Sequence, residues 1–251
     1  DENVFIGNGT GRNNTTGRYN AALGNSALSS NTLGSRNAAF GHSVLFNNTV
    51  GNENSALGYN ALFNNLNGSE NVAVGHSALF SNISGPDNSA VGYNALSANT
   101  IGGNNSALGH SALSFNTTGS TNSAFGSYAL AFNTTGNNNS AFGADALRFN
   151  NVGSYNTAVG FSALYNNNSG GSNTGIGTGA LYNNTSGYQN TALGYNALIS
   201  NTAGLNNVAI GTNSLLNNIS GNHNTAIGYN SGVYFVSPIL DNTTSVGSNA
   251  K

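Results

Sequence analysis

The hydrophobic and polar positions of this chain repeat every 17 residues. A large apolar residue followed by glycine recurs fourteen times at that spacing, from Ile6–Gly7 to Ile227–Gly228, without a single insertion. The consensus around this step is N-[ST]-A-[LVIF]-G-[YH]-[NS]-A-L-x-x-N-[TN]-[TS]-G-x-x, and we number its positions 1 to 17. A strict period without length variation predicts a stack of identical structural units.

Each unit is too short to hold a pair of helices, and Gly, Asn, Ser and Thr are poor helix formers. Two runs of four or five residues between Gly and Asn corners suit short strands, one at positions 2–4 and one near positions 7–10. The sequence therefore predicts an all-β chain with almost no helix. We expect a parallel β-solenoid with one coil per repeat, about fourteen coils, and neighbouring coils about 4.8 Å apart.

The repeat predicts the domain organisation. Residues 1–232 follow the pattern and are expected to form one β-solenoid repeat domain. Residues 233–251 depart from it, because Phe235 and Pro238 stand where the second Asn and the second Gly of the repeat are expected. The stretch from Asn242 to Ala250 resembles the start of a coil, with Gly247 two residues beyond its expected place. This segment is therefore predicted to be a transition that carries a displaced partial coil.

Alternation along a strand predicts which side chains face the coil interior, because neighbouring side chains point to opposite faces. Position 4 is large and apolar in all fourteen coils, so we expect positions 2 and 4 to point inward and the Ala of position 3 to point outward. The same reasoning places the Leu of position 9 inward and the Ala of position 8 outward.

A persistent outward Ala column favours a close-packed interface between identical chains. The predicted interface residues are Ala56, Ala73, Ala90, Ala107 and Ala124. In the alternative, both Ala columns point into the coil and the chain is a thin monomeric rod.

Two columns of asparagine run through the repeats. Position 1 is Asn in all fourteen coils, and position 12 is Asn in the first thirteen. A side-chain amide both donates and accepts, so stacked Asn residues can bond from coil to coil or cap corner backbone groups. The predicted structural ladders include Asn54, Asn71, Asn88, Asn105 and Asn122 at position 1, and Asn65, Asn82, Asn99, Asn116 and Asn133 at position 12. The glycines of positions 5 and 15 fit corners that need positive φ or close backbone approach.

Composition narrows the classes of partner. Only 5% of the residues are charged and the net charge is −2, so the chain lacks the Lys and Arg needed to meet nucleic-acid phosphates. There is no apolar run of 18 or more residues, and hence no predicted membrane span in this segment. The absence of Cys fits an extracellular protein, although a cytosolic protein without disulfides would look the same.

Three histidines, His42, His76 and His110, share position 6 and alternate with tyrosines. Consecutive histidines are two coils apart, about 9.6 Å on the strand spacing, which is too far for one metal ion within a chain. Only a symmetric partner chain would bring them together. We therefore expect an outward ladder of rings rather than a metal site.

Three acidic residues, Glu53, Glu70 and Asp87, stack at position 17 of adjacent coils, after Arg36 in the same column. Carboxylates about 5 Å apart are able to flank a glycosidic bond or to bind Ca²⁺. No acid/base His or aromatic platform surrounds them in sequence. The favoured interpretation is an exposed corner with local charge, and no catalytic residue, metal site or cofactor is predicted.

Aromatic residues form short columns that either stack on one another and fix the register or, less often, stack on sugar rings. The columns are Phe46, Phe63 and Phe80 at position 10, Phe115, Phe132 and Phe149 at position 11, and Tyr165 and Tyr182 at position 10. Asp145 and Arg148, three residues apart, are expected to form a weak surface pair.

The segments "NTAIGYN" (Asn224–Asn230) and "NSALGYNAL" (Asn54–Leu62) resemble the S-x-A-I-G repeats of trimeric autotransporter adhesin heads. The unit "NTALGYNALISNTAG" (Asn190–Gly204) is similar to the repeats of bacterial tail-fibre-domain proteins. The resemblance covers essentially the whole chain and implies a left-handed parallel β-roll, three chains around one axis, and a place on a cell or virion surface. This sequence departs from the adhesin heads in its longer period and its extra Asn-Thr-Thr-Gly corner.

These observations favour a non-enzymatic extracellular fibre segment of a surface adhesin or tail-fibre-like appendage. Its expected partners are copies of itself, as a homotrimer, with a host surface or a glycan as a candidate ligand. The alternative is an ice-binding β-solenoid, which regular Thr rows on a flat face would support. Thr15, Thr32, Thr49, Thr117 and Thr134 recur at position 13, but Leu66, Ile83, Asn151, Asn168 and Ile219 interrupt that column.

Overall fold

One short strand per repeat builds the fold in each of two units, Asp1–Asn122 and Ser123–Lys251. The computed structural model describes residues 2–232 and 241–250 of the chain. Within those ranges there is no helix, as the composition predicts. Gly, Asn, Ser and Thr disfavour helix, and the runs of apolar residues are too short to form the buried face of a helix.

The first unit, described over residues 2–122, contains seven strands there, and each covers positions 2–4 of its repeat, extended to position 6 in two of them. They are β1 Val4–Ile6, β2 Ala21–Leu23, β3 Ala38–His42, β4 Ser55–Tyr59, β5 Val72–Val74, β6 Ser89–Val91 and β7 Ser106–Leu108. Neighbouring strands within this unit pair in parallel, as in Ala56↔Ala73.

The described residues of the second unit, 123–232 and 241–250, contain eight strands in the same arrangement. They are β8 Ser123–Phe125, β9 Ser140–Phe142, β10 Thr157–Val159, β11 Thr174–Ile176, β12 Thr191–Leu193, β13 Val208–Ile210, β14 Thr225–Ile227 and β15 Thr244–Val246. All pairings between neighbours are parallel. Every pair except the last joins residues 17 apart, so the predicted parallel β-solenoid with one coil per repeat is confirmed in both units.

The last strand breaks the period. Thr225 of β14 pairs with Thr244 of β15, 19 residues later. Gly247 then takes the place of the position-5 glycine, with φ of 124°. The displaced partial coil indicated by the sequence is therefore present over residues 242–250. The apolar stretch from 233 to 240 lies outside the described residues.

The core of each coil is made of alanine and leucine. Ala at positions 3 and 8 and Leu at position 9 are buried in nearly every coil, as in Ala56, Ala61 and Leu62. The prediction for position 9 is therefore confirmed, whereas the outward direction predicted for both Ala columns is wrong. The interior of a 17-residue coil holds one large side chain per coil, and the Leu of position 9 fills it, so only Ala fits across from it on the strand.

The predicted second strand at positions 7–10 is absent from the described residues. Instead, the sign of φ alternates along these positions, with φ of 55° at Asn60 and 51° at Leu62. Coils still bond to one another here, since the Leu62 N–H donates to the carbonyl of Ala78 at 3.0 Å. A left-handed conformation costs an L-residue about 1–2 kcal/mol. Full burial of a leucine side chain, worth about 1.5–3 kcal/mol, offsets this cost.

The two glycine columns are required for different reasons. Gly58, at position 5, has φ of 140°, and a Cβ there would lie 2.4 Å from the carbonyl oxygen of Gly75 in the next coil. Gly68, at position 15, has no positive φ, but a Cβ there would lie 2.5 Å from Asn65 Oδ1 and 2.7 Å from Asn82 Nδ2. The first column therefore needs both special backbone geometry and space, while the second needs space for the asparagine amides.

Candidate functional site

The position-1 asparagines form a hydrogen-bonded ladder inside each unit. The backbone N–H of Asn71 donates to Asn54 Oδ1 at 3.0 Å, and its own Oδ1 accepts from the backbone N–H of Asn88. Its Nδ2 donates to the carbonyl of Gly85 at 3.0 Å and to Asn54 Oδ1 at 3.1 Å. These residues are fully buried, so each amide replaces water with a complete set of protein partners.

The position-12 asparagines form a second ladder through their side chains alone. Asn65 Nδ2 donates to Asn48 Oδ1 at 2.7 Å, and Asn65 Oδ1 accepts from Asn82 Nδ2 at 2.8 Å. The carbonyl of Gly68 joins the two ladders, because it accepts from both Asn54 Nδ2 and Asn65 Nδ2 at 2.9 Å. The absence of a Cβ at Gly68 makes this approach possible.

The predicted ladder residues all take these roles. In the first ladder they are Asn54, Asn71, Asn88, Asn105 and Asn122, and in the second they are Asn65, Asn82, Asn99, Asn116 and Asn133. All ten are fully buried. They are structural residues, and several N-x-[ST] sequons in the chain belong to this buried set.

The predicted Ala interface is corrected by the structure. The side chains of Ala56, Ala73, Ala90, Ala107 and Ala124 are at most 3% exposed within a single chain. They line the coil interior and cannot contact a neighbouring chain. The alternative considered from the sequence, with both Ala columns pointing inward, gives the correct direction.

Large apolar side chains occupy the outward face of the sheet instead. Leu57, at position 4, is 51% exposed, and the same column of the first unit contains the exposed Leu23 and Leu108. In the second unit this column includes exposed Phe142, Val159, Ile176, Leu193 and Ile227. We call positions 2 and 4 of the coils the outer sheet face. None of the fourteen coils carries a charged residue at either position.

Aromatic side chains stack from coil to coil, as the sequence predicts. His42, Tyr59, His76, Tyr93 and His110 stack in order with ring centroids 5.1–5.2 Å apart. Phe46, Phe63 and Phe80 stack at 5.1 and 5.3 Å, Phe132 stacks on Phe149 at 5.0 Å, and Tyr165 stacks on Tyr182 at 4.8 Å. Successive rings are one coil apart, so stacking reinforces the 17-residue register.

The acidic column lies at an exposed corner. Glu53 pairs with Arg36 at 2.8 Å, and both side chains remain largely exposed. Glu70 and Asp87 are also exposed, and all three acidic residues have positive φ. In residues 2–232 and 241–250, no three His, Cys, Asp or Glu side chains come together in a group suited to a metal ion. A solvent-facing ion pair of this kind contributes about 0–1 kcal/mol.

The threonines of position 13 lie at corners rather than on the flat sheet. The Thr49 hydroxyl donates to the carbonyl of Leu66 in the next coil at 2.8 Å, and Thr32 does the same toward Thr49 at 2.9 Å. A different set of threonines lies on the outer sheet face of the second unit. These are Thr157, Thr174, Thr191 and Thr225 at position 2.

The outer sheet face is the feature that sequence reasoning missed. The alternation of side chains along the strand is visible in the sequence. Residue size, however, predicts that the larger residue of position 4 points into the coil, whereas in the structure it points outward. The absence of charge from positions 2 and 4 does not fix the phase, because a buried column and a column at an interface share that property.

Comparison of the sequence with protein-family models and with curated proteins found no match. The described part of the chain contains no helix long and apolar enough to cross a membrane. The geometry of the coils themselves is therefore the basis for a functional proposal.

Proposed function

We propose that this chain is a non-enzymatic structural segment of an extracellular fibre, which assembles with copies of itself through the outer sheet face. The observation that carries the proposal is the exposed apolar column at position 4, of which Leu57 is representative. The resemblance of "NSALGYNAL" to adhesin-head repeats supports three copies around an axis and a place on a cell or appendage surface.

A bare parallel sheet is unusual and calls for a partner. Parallel sheets occur almost only with both faces covered, and here one face packs on the Ala and Leu core while the other faces solvent. Large contiguous apolar patches mark interaction sites in soluble proteins. The core of a protein interface is also depleted of charged residues, as positions 2 and 4 are in every coil.

A second copy of this chain is the partner that fits the face best. The apolar column repeats with the coil spacing of about 4.8 Å, and an identical chain presents ridges with the same spacing. Most soluble oligomers are built from identical chains with closed symmetry. A long repetitive interface would hold the chains together through many small contacts, which suits a spacer that carries a distal part away from a surface.

The mass of the protein in solution tests this proposal. Sedimentation equilibrium should give a multiple of the 25.3 kDa chain mass, with three times that value for the trimer implied by the resemblance. A mass of one chain at micromolar concentration would overturn self-association.

A second candidate function is ice binding, and one observation favours it. Threonines at position 2 lie on the sheet of the second unit in four of the five coils that begin at Asn156 to Asn224, and Val208 takes this position in the remaining coil. Their spacing is that of the strands, about 4.8 Å. A thermal-hysteresis measurement decides this point. Activity that is lost on changing Thr174 and Thr191 to Lys would support ice binding, and its absence in the unmodified protein would exclude it.

A further inference from the structure

A cleft of 390 Å³ opens on the surface of the second unit, beside the outer sheet face. Its walls come from positions 6, 7 and 10 of four consecutive coils and include Asp145, Phe161, Tyr165, Tyr182 and Asn196. Its volume lies within the range of ligand pockets, about 300–1,000 Å³. Positions 2 and 4 do not line it, so the cleft is distinct from the proposed self-association surface.

The cleft originates in a local departure from the repeat. The coil that begins at Asn173 has Thr178 and Gly179 at positions 6 and 7, whereas the next coil has Tyr195 and Asn196 there. Gly179 is buried, and a Cβ at this residue would lie 2.5 Å from Asn196 Oδ1. The Asn196 side chain therefore lies against the bare backbone of Gly179, and the small residues Thr178 and Gly179 together leave a notch beside Phe161.

Phe161 borders this notch with its ring uncovered by other rings. In the first unit, the position-6 ring of Tyr59 is stacked on both sides, between His42 and His76. Phe161 is instead flanked at position 6 by Ala144 and Thr178. It makes no ring contact among the described residues and is 56% exposed. The ring thus has no aromatic neighbour on either side and is open to contact with the apolar face of a ligand.

Polar groups with unused hydrogen-bonding capacity surround the ring. Tyr165 and Tyr182 are stacked at 4.8 Å with nearly parallel rings, Phe149 meets Tyr165 edge-to-face at 5.1 Å, and both tyrosines line the cleft. Neither hydroxyl, nor the side-chain amide of Asn196, makes a hydrogen bond within the described part of the chain. These groups supply donors and acceptors in a row beside the exposed Phe161.

Charge at the cleft is present but balanced. Asp145 and Arg148 are the only charged residues between positions 123 and 232. Asp145 Oδ1 accepts from Arg148 Nη1 at 2.9 Å, and the Arg148 guanidinium lies 4.6 Å from the Tyr128 ring centroid. The single carboxylate at the cleft is therefore neutralised by its neighbour, which leaves it able to accept from a hydroxyl without favouring a cationic ligand.

We propose that this cleft binds one neutral sugar residue of a glycan. Phe161 would stack on the apolar face of the pyranose ring, while Asp145, Asn196 and the two tyrosine hydroxyls bond its hydroxyl groups. An apolar surface combined with a few convergent polar groups is typical of a specific small-ligand site. The compensated charge favours a neutral sugar over an acidic one.

Saturation-transfer NMR on the unmodified protein tests this proposal. The probes are four neutral oligosaccharides: cellotetraose, maltotetraose, triacetylchitotriose and lacto-N-tetraose. A heparin tetrasaccharide serves as the acidic comparison. At least one neutral probe should receive saturation from the protein's aromatic protons. No transfer to any neutral probe, or stronger binding of the heparin fragment, would overturn the proposal.

Three variants locate the site. Phe161→Ala should weaken binding of the neutral probe at least tenfold, and Gly179→Asn, which restores the residue type of the next coil, should fill the notch and do the same. Tyr195→Ala removes an exposed ring from the same position outside the cleft and should change affinity less than twofold. Equal effects of Phe161→Ala and Tyr195→Ala would contradict the assignment. Circular dichroism of each variant separates lost binding from lost folding, and sedimentation equilibrium separates it from lost assembly.

Discussion

The backbone N–H of Asn71 donates to the side-chain Oδ1 of Asn54, one coil earlier, at 3.0 Å. The same relationship repeats along the position-1 column inside each unit. The side-chain oxygen of each asparagine thus accepts a hydrogen bond from a backbone N–H of the next coil, at a corner outside the strands. Because Asn54 Nδ2 also donates to the Gly68 carbonyl, a single amide closes its own coil and fixes the next.

Asn71→Asp should therefore lower the free energy of unfolding by about 3 kcal/mol or more. The carboxylate cannot donate to Gly85 or Asn54, and its charge would be buried among acceptors. Chemical denaturation followed by far-UV circular dichroism measures this loss. Asn67→Asp, at an exposed position of the preceding coil, adds the same charge and should cost no more than about 0.5 kcal/mol. Equal losses for the two variants would show that the ladder does not stabilise the fold.

The position-15 glycine is predicted to be required for space rather than for backbone conformation. Gly68→Ala places a Cβ against Asn65, Asn82 and the Gly85 carbonyl, all within 2.8 Å. We expect a loss of about 3 kcal/mol from this overpacking. Gly9→Ala is the matched control, since Gly9 has φ of 69° but its nearest contact would be 3.5 Å away. Its loss should be that of a left-handed residue, about 1–2 kcal/mol, and the reverse order would contradict the steric explanation.

The corrected direction of the strand gives a test with neighbouring residues. Ala107→Arg forces a charge into the coil interior and should destabilise the first unit by about 4 kcal/mol or more. Ser106→Arg points to the outer sheet face, and the strand should tolerate it with its circular dichroism unchanged. Thermal melting of both variants measures the difference. A folded Ala107→Arg variant together with an unfolded Ser106→Arg variant would show instead that Ala107 points outward and Ser106 points into the coil.

The 17-residue period, the strand at positions 2–4 and the asparagine ladders could be predicted from the sequence. Each of them depends on the same residue type recurring at the same position of every coil. A residue type that recurs every 17 positions must be able to stack on itself, and Asn54 and Asn65 do so through their amides. The phase of the strand could not be predicted in this way. Alternation is satisfied equally with Leu57 inside or outside, and the choice depends on how much volume Leu62 already fills.

The conformation of positions 7–10 was also beyond the sequence pattern. Leucine rarely adopts positive φ, so nothing about Leu62 signals the left-handed geometry that replaces the predicted second strand. The candidate cleft was partly visible, since the Asp145–Arg148 pair and the Tyr165–Tyr182 column were both predicted. Their convergence beside Phe161 depends on the notch at Gly179, which only the three-dimensional arrangement of the coils shows.

The central claim is that the chains self-associate through the outer sheet face. The mass of two matched triple variants, measured by light scattering, tests it most directly. Leu23, Leu57 and Leu108 lie on the outer sheet face, and Leu33, Leu66 and Ile101 lie at a corner; all six are exposed in the single chain. Changing the first three to Lys should weaken assembly and shift the mass toward the 25.3 kDa of one chain, with strand content retained. The same change at the second three adds equal charge and should leave the assembly intact. Assembly of unchanged strength with lysines on the sheet face, or assembly weakened only by lysines at the corner, would contradict self-association through the outer sheet face.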